Sequence, residues 1–99
     1  MSFDLPVFST ALAGMVRRDV QDMTLRQLST LLDIAASPGR SCLDVAKSLE
    51  MSKPSVTRAC DKMVSIGWIN RVTSADDRRR VSLTVTKAGK AFVAGIGRA

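Results

Sequence analysis

The sequence predicts a mainly α-helical fold with one small antiparallel β-hairpin, and two observations carry that expectation. Between Pro6 and Gly67 apolar residues recur at helical spacing in successive runs, each bounded by capping or breaking residues. After Gly67 the period changes. "WINRV" (Trp68–Val72) and "VSLTV" (Val81–Val85) alternate like strands before a last helical run opens at Lys87. At 99 residues the chain is expected to form one domain, 1–99, around a single core. Within it, 1–23 is read as an N-terminal helix, 24–92 as the core and 93–99 as a short tail.

Each element has its own local cause. Pro6 suits a first helical turn, where its missing donor costs nothing, and Val7, Phe8, Ala11, Leu12, Met15 and Val16 follow at helical spacing. That face is generous for a short helix. It either covers the core or serves a second subunit through Val7, Phe8, Ala11, Leu12 and Met15. "TLRQLSTLLDIAASPG" opens on a capping box, Thr24 with Gln27, and stops at Pro38-Gly39. Leu25, Leu28, Leu31, Leu32 and Ala35 are expected on its inner face. "SCLDVAKSLEM" repeats the device with Ser41 and Asp44, with Leu43, Val45, Ala46 and Leu49 as its apolar positions. A break at Glu50-Met51 leads to "SKPSVTRACDKMVSIG", with Ser52 as N-cap, Pro54 in the first turn and Gly67 as a left-handed C-cap. Val56, Ala59, Cys60, Met63 and Val64 should face inward, leaving Ser55, Thr57, Arg58, Asp61 and Lys62 outside. Thr86 caps the last helix, which packs Ala88, Phe92 and Ile96, while Gly95 and Gly97 weaken its end.

Composition narrows the function. The chain has no His and no Tyr, which removes the commonest general base and metal ligand. It has no Gly-rich phosphate loop, and Asp76-Asp77, adjacent on a loop tip, are poorly placed for acid–base work. An enzyme is therefore not expected, nor a metal or other cofactor. Nothing resembles a signal peptide or a membrane span, so the chain is expected to be cytoplasmic and to engage no membrane. Cys42 and Cys60 have no motif spacing; they are either plain buried thiols of a reducing compartment or a redox switch.

The formal net charge of +6 is unevenly placed. Residues 1–51 hold five Lys/Arg against six Asp/Glu, whereas residues 52–90 hold nine against three. The excess thus lies in one stretch, as a polyanion-facing surface requires. Within it, the runs Cys42–Glu50 and Lys53–Ile66, joined by a tight turn, fit a helix-turn-helix. Ser52, Lys53, Ser55, Thr57 and Arg58 then offer hydroxyls and cations where a helix meets the major groove, with Lys62 further along. Arg58 bidentate to guanine contributes about 1–3 kcal/mol of discrimination. The bland alternative is that Ser52 only caps and the rest is a solvated face. The hairpin tip argues against it. Asp76-Asp77-Arg78-Arg79-Arg80 replaces the tight turn a solvated hairpin prefers, and three adjacent Arg repel unless an anion or acid offsets them. Asp77 is near enough to hold one guanidinium, leaving the others to probe a narrow minor groove.

From Thr24 to Phe92 the chain resembles the winged helix-turn-helix core of the MarR family of bacterial transcription regulators. "SKPSVTRACDKMVSIGWINR" resembles its recognition helix and first wing strand, and "DDRRRVSLTVTKAG" its wing and closing helix. The resemblance implies that Ser52, Lys53, Ser55, Thr57 and Arg58 fall on the major-groove face. It implies that the family's wing Asp-x-Arg falls on Asp77 and Arg79, with Arg78 and Arg80 as phosphate contacts. Arg71 and Lys62 are expected to add phosphate contacts. The resemblance is to a short, minimal version, bacterial or phage-encoded and nucleoid-associated. With these short flanks the family's pocket for a small-molecule effector is doubtful. The expectation is a homodimeric, sequence-specific regulator of double-stranded DNA, a repressor rather than an activator. The alternative is a winged-helix interaction module whose basic face docks an acidic protein.

Overall fold

The computed structural model describes residues 4–17, 23–77 and 80–96. Their order is α1 (Leu5–Arg17), α2 (Leu25–Ala36), α3 (Cys42–Leu49), α4 (Lys53–Ser65), β1 (Ile69–Thr73), β2 (Val81–Val85) and α5 (Lys87–Ile96). Caps fix most of these boundaries. The α2 box is closed: the Gln27 amide donates to Thr24 Oγ1 at 3.1 Å, and the Thr24 amide donates to Gln27 Oε1 at 3.0 Å. Ser41 and Asp44 repeat it on α3 at 3.1 and 3.0 Å. Those bonds hold the Asp44 carboxyl below the usual carboxylate range. Glu50 then takes a left-handed conformation (φ 52°) and ends α3, and Gly67 (φ 82°) turns the chain from α4 into β1.

β1 and β2 pair antiparallel in the register Ile69↔Val85, Arg71↔Leu83 and Thr73↔Val81. The first strand begins one residue later than Trp68. A further bridge was not visible in the sequence: Leu83 pairs with Arg40, its amide donating to the Arg40 carbonyl at 2.7 Å. Its carbonyl accepts from the Gly39 amide at 2.9 Å, and Gly39 reaches this position at φ 90°. The turn after α2 therefore acts as a third, minimal strand on the wing sheet. Pro38-Gly39 does more than stop a helix.

The core gathers Leu31 and Ile34 of α2, Val45 and Ala46 of α3, Val56, Cys60 and Met63 of α4, Ile69 and Leu83. Trp68 and Phe92 close it on the α5 side, their rings stacked at 4.1 Å and 20°. Thr86 joins three elements at this edge. Its hydroxyl donates to the Gly67 carbonyl (2.6 Å) and accepts from the Gly89 amide (3.0 Å), and its amide donates to the Trp68 carbonyl (3.0 Å).

Several expected faces are rotated. Leu25, the first residue of α2, is 78% exposed, and Leu32 is exposed as well. The buried stripe of α2 is instead Thr30, Leu31 and Ile34, and the Thr30 hydroxyl is satisfied by the Arg26 carbonyl at 2.8 Å. Val64 and Leu43, expected inside, are on the surface, since α3 and α4 bury narrower stripes than their apolar content suggested. On α5, Gly89 is buried in place of Ala88, which is exposed. On α1, Met15 is buried within the chain together with Gly14, so it is not free for a second subunit, and Ala11 is half-buried. Val7, Phe8, Leu12 and Val16 remain exposed. Among the described residues no helix is long and apolar enough to cross a membrane.

Candidate nucleic-acid interface

α3, the left-handed Glu50 turn and α4 set the position of the basic face. The Met51 amide donates to the Ala46 carbonyl at 3.0 Å, which folds the turn back onto α3 and fixes where Ser52 can begin α4. Ser52 is the N-cap: its hydroxyl oxygen accepts from the Ser55 amide at 3.2 Å and its O–H donates to Ser55 Oγ at 2.9 Å. Thr57 Oγ1 donates to the Lys53 carbonyl at 3.0 Å. Three of the expected hydroxyls thus have partners within the helix. Lys53, Thr57 and Arg58 are nonetheless exposed, while Ser55 and Lys62 are half-buried. Arg58 Nη2 donates to Ser55 Oγ at 3.4 Å, a long bond.

The arginines of the described residues fall into two groups. Arg40 Nη1 pairs with Asp33 Oδ2 at 2.6 Å, and Arg71 Nη2 with Asp61 Oδ1 at 2.5 Å. The hydrogen bond to Asp61 raises the Arg71 pKa further above its ordinary value, and a second bond runs from Arg71 Nη2 to the Thr57 carbonyl at 3.5 Å. Arg71, expected as a phosphate contact, therefore has its charge offset in place and ties β1 to the middle of α4. Arg26 and Arg58 form no ion pair with a carboxylate among the described residues.

The base of the wing is a closed turn. The Ser74 amide donates to the Arg80 carbonyl and the Arg80 amide to the Asp77 carbonyl, both at 2.9 Å, while Ser74 Oγ accepts from the Asp76 and Asp77 amides at 3.3 and 3.4 Å. Asp76 and Arg80 are exposed and Asp77 is half-buried. Arg78 and Arg79, two of the expected wing residues, lie outside the described residues.

Among the described residues, two cavities border these elements. The larger, about 370 Å³, is apolar and lies between α2, β2 and α5, lined by Ala35, Pro38, Val85 and Val93, with Lys90 at its edge. The smaller, about 160 Å³, lies between the start of α2 and α4, lined by Thr24, Arg26, Gln27, Ser55, Arg58 and Ala59. Arg26 was not singled out from sequence, because it belongs to the acidic half and no pattern there marks it. Among the described residues no cluster of His, Cys, Asp or Glu gathers as a metal site would. Cys60 is buried against Cys42, and that burial together with the neighbouring thiol pushes its pKa up to about 12, far from the range of a reactive thiolate.

A helix-turn-helix followed by a hairpin that carries a basic edge beside the second helix defines a winged helix-turn-helix protein. Residues 23–81 match the model of the MarR family, and the chain belongs to that family. It is 27% identical over 95 residues to the uncharacterized HTH-type transcriptional regulator YpoP of Bacillus subtilis (strain 168), covering 91% of this chain and 67% of that one. It is 29% identical over 71 residues to the multiple antibiotic resistance protein MarR of Escherichia coli (strain K12), where the match covers 72% of this chain and 49% of that protein. Its fold superposes on the transcriptional repressor CouR bound to a 23-mer DNA duplex, with a TM-score of 0.75 and 30% identity over 95% of this chain and 64% of that one. The chain thus spans between about half and two-thirds of the length of these proteins.

Proposed function

We propose that this chain is a sequence-specific regulator of double-stranded DNA, acting in the cytoplasm as a repressor that occludes a promoter. The observation that carries the reading is the exposed face of α4. Lys53, Thr57 and Arg58 stand there, with Lys53 and Arg58 unpaired by carboxylates among the described residues, beside an Arg71 whose charge is already offset. A DNA-bound structure of CouR, at 30% identity, supports the same use of the fold.

In this reading α4 enters the major groove with Lys53, Ser55, Thr57 and Arg58 toward base edges and phosphates, Ser52 holding the helix start and Lys62 meeting the backbone further along. The wing lies over the adjacent minor groove. Arg79 is the probe there by the family pattern, Asp77 the brace, and Arg78 and Arg80 the flanking cations. A dimer formed through the exposed Val7, Phe8 and Leu12 of α1, with Ala11 at its margin, places two such helices about one helical turn apart on a palindromic site.

Selection of bound duplexes from a random pool, followed by footprinting, tests this. The expected result is a protected palindrome, with Arg58→Ala relaxing specificity at one base by about 1–3 kcal/mol. Equal affinity of the unsubstituted protein for selected and random duplexes, with tight capture of an acidic protein instead, overturns it in favour of an interaction module.

A further inference from the structure

We propose that the notch between the start of α2 and the outer face of α4 is a seat for one phosphate of the DNA backbone, gripped by Arg26 and Arg58 from opposite sides. The proposal rests on the DNA-binding reading above and extends the interface to a helix that the sequence pattern left out of it.

The local chemistry selects the ligand. Thr24, Arg26 and Gln27 line one wall and Ser55, Arg58 and Ala59 the other. The Thr24 and Gln27 side chains are already engaged in the capping box, and the Ser55 hydroxyl accepts from Ser52 and Arg58. The two guanidiniums are therefore the charged groups of the notch, each with donors left for a ligand beyond the one long bond from Arg58 to Ser55. No carboxylate pairs with either among the described residues, although the same small domain neutralises Arg40 with Asp33 and Arg71 with Asp61. Two cations lining the same notch of about 160 Å³ repel each other, and an anion seated there offsets that repulsion. The box satisfies the amides at Thr24 and Gln27, leaving those of Leu25 and Arg26 among the donors a helix start presents outward. Planar guanidiniums suit a tetrahedral oxyanion with oxygens on several sides.

Location selects the source. Arg58 and Ser55 belong both to this notch and to the face of α4 that reads the groove. An anion held here lies next to the groove being read, where a duplex presents its backbone. Contacts of this kind fix register and carry no sequence information. Arg26 is accordingly a positioning contact, and Arg58 serves both wall and base edge.

The test is fluorescence anisotropy across a salt series, with a selected duplex and a scrambled one, for the unsubstituted protein, Arg26→Ala, Arg26→Lys and Arg58→Ala. Arg26→Ala is expected to weaken both duplexes by the same several-fold factor. It should also flatten the slope of log affinity against log salt by about 1, one phosphate contact's worth. Arg26→Lys should recover most of the loss, and Arg58→Ala should in addition erode the preference for the selected duplex. Unfolding midpoints matching the unsubstituted protein exclude a folding defect, since Arg26 is exposed. Unchanged affinity and slope in Arg26→Ala overturn the seat while leaving the DNA reading intact. A parallel calorimetric titration with inorganic phosphate separates the two sources of the anion. Arg26-dependent uptake of free phosphate without any Arg26 effect on DNA overturns the backbone assignment. If the unsubstituted protein binds neither duplex, the DNA reading falls and the seat falls with it.

Discussion

Gly89 shows how a single residue can matter through crossing geometry rather than local conformation. A Cβ there would overlap the Trp68 carbonyl and lie 2.6 Å from Val85 Cγ1, so α5 meets the strands only because this position has no side chain. Gly89→Ala is expected to lose about 1–3 kcal/mol of stability to overpacking, even though Ala alone favours a helix by up to about 1 kcal/mol. Urea unfolding reads the balance, and an equal or raised midpoint would show that α5 can shift without cost. Nothing in the sequence announces this contact. "TKAG" reads as a cap followed by a weak helix former, because the neighbour that forbids a side chain comes from the Trp68 backbone, about twenty residues earlier. The same limit applies to Met15 and Leu25. Helical spacing places both on an apolar face, but only the neighbouring elements decide which part of that face is covered.

The helices, by contrast, were legible as elements, because their causes are local: Thr24 with Gln27, Ser41 with Asp44, Ser52 ahead of Pro54, and Gly67 at a positive φ. What joins them was not. Asp33 sits on α2 with no motif around it, yet its two carboxylate oxygens accept from Arg40 Nη1 at 2.6 Å and from Ser48 Oγ at 2.9 Å. It thereby ties α2 to the bridge strand and to α3. Its side chain is only 15% exposed, so these bonds are partly shielded from water. Asp33→Ala is expected to cost about 1.5–3 kcal/mol, the usual range for hydrogen bonds to a charged group, with Asp33→Asn recovering part of it. Thermal unfolding of the two variants checks the order, and an Ala variant as stable as the parent removes Asp33 from the joinery. Within the candidate interface, the run of small hydroxyls and cations on α4 could be seen in the sequence. The offsetting of Arg71 by Asp61 and the exposure of Arg26 could not, because each depends on which elements meet.

Over the whole chain, the basic excess of residues 52–90 comes to lie on α4, the wing and the start of α5, while α1 keeps Val7, Phe8 and Leu12 at the surface. A basic region and an exposed apolar face thus occupy different parts of the chain, the first proposed above for DNA and the second for another copy. Phe8→Glu on the exposed side of α1 is expected to lower the solution mass to that of a monomer and leave the far-ultraviolet spectrum unchanged. Sedimentation equilibrium reads this, and a mass unaffected by the change places the contact elsewhere. Between these regions stands Thr86, bonded at once to the end of α4, to the start of β1 and to the first turn of α5. It works as a rivet. A tilt of α5 against its neighbours is passed to the root of α4 through these bonds. In the dimer proposed above, the angle at which two copies meet then sets the angle at which their α4 helices are held apart.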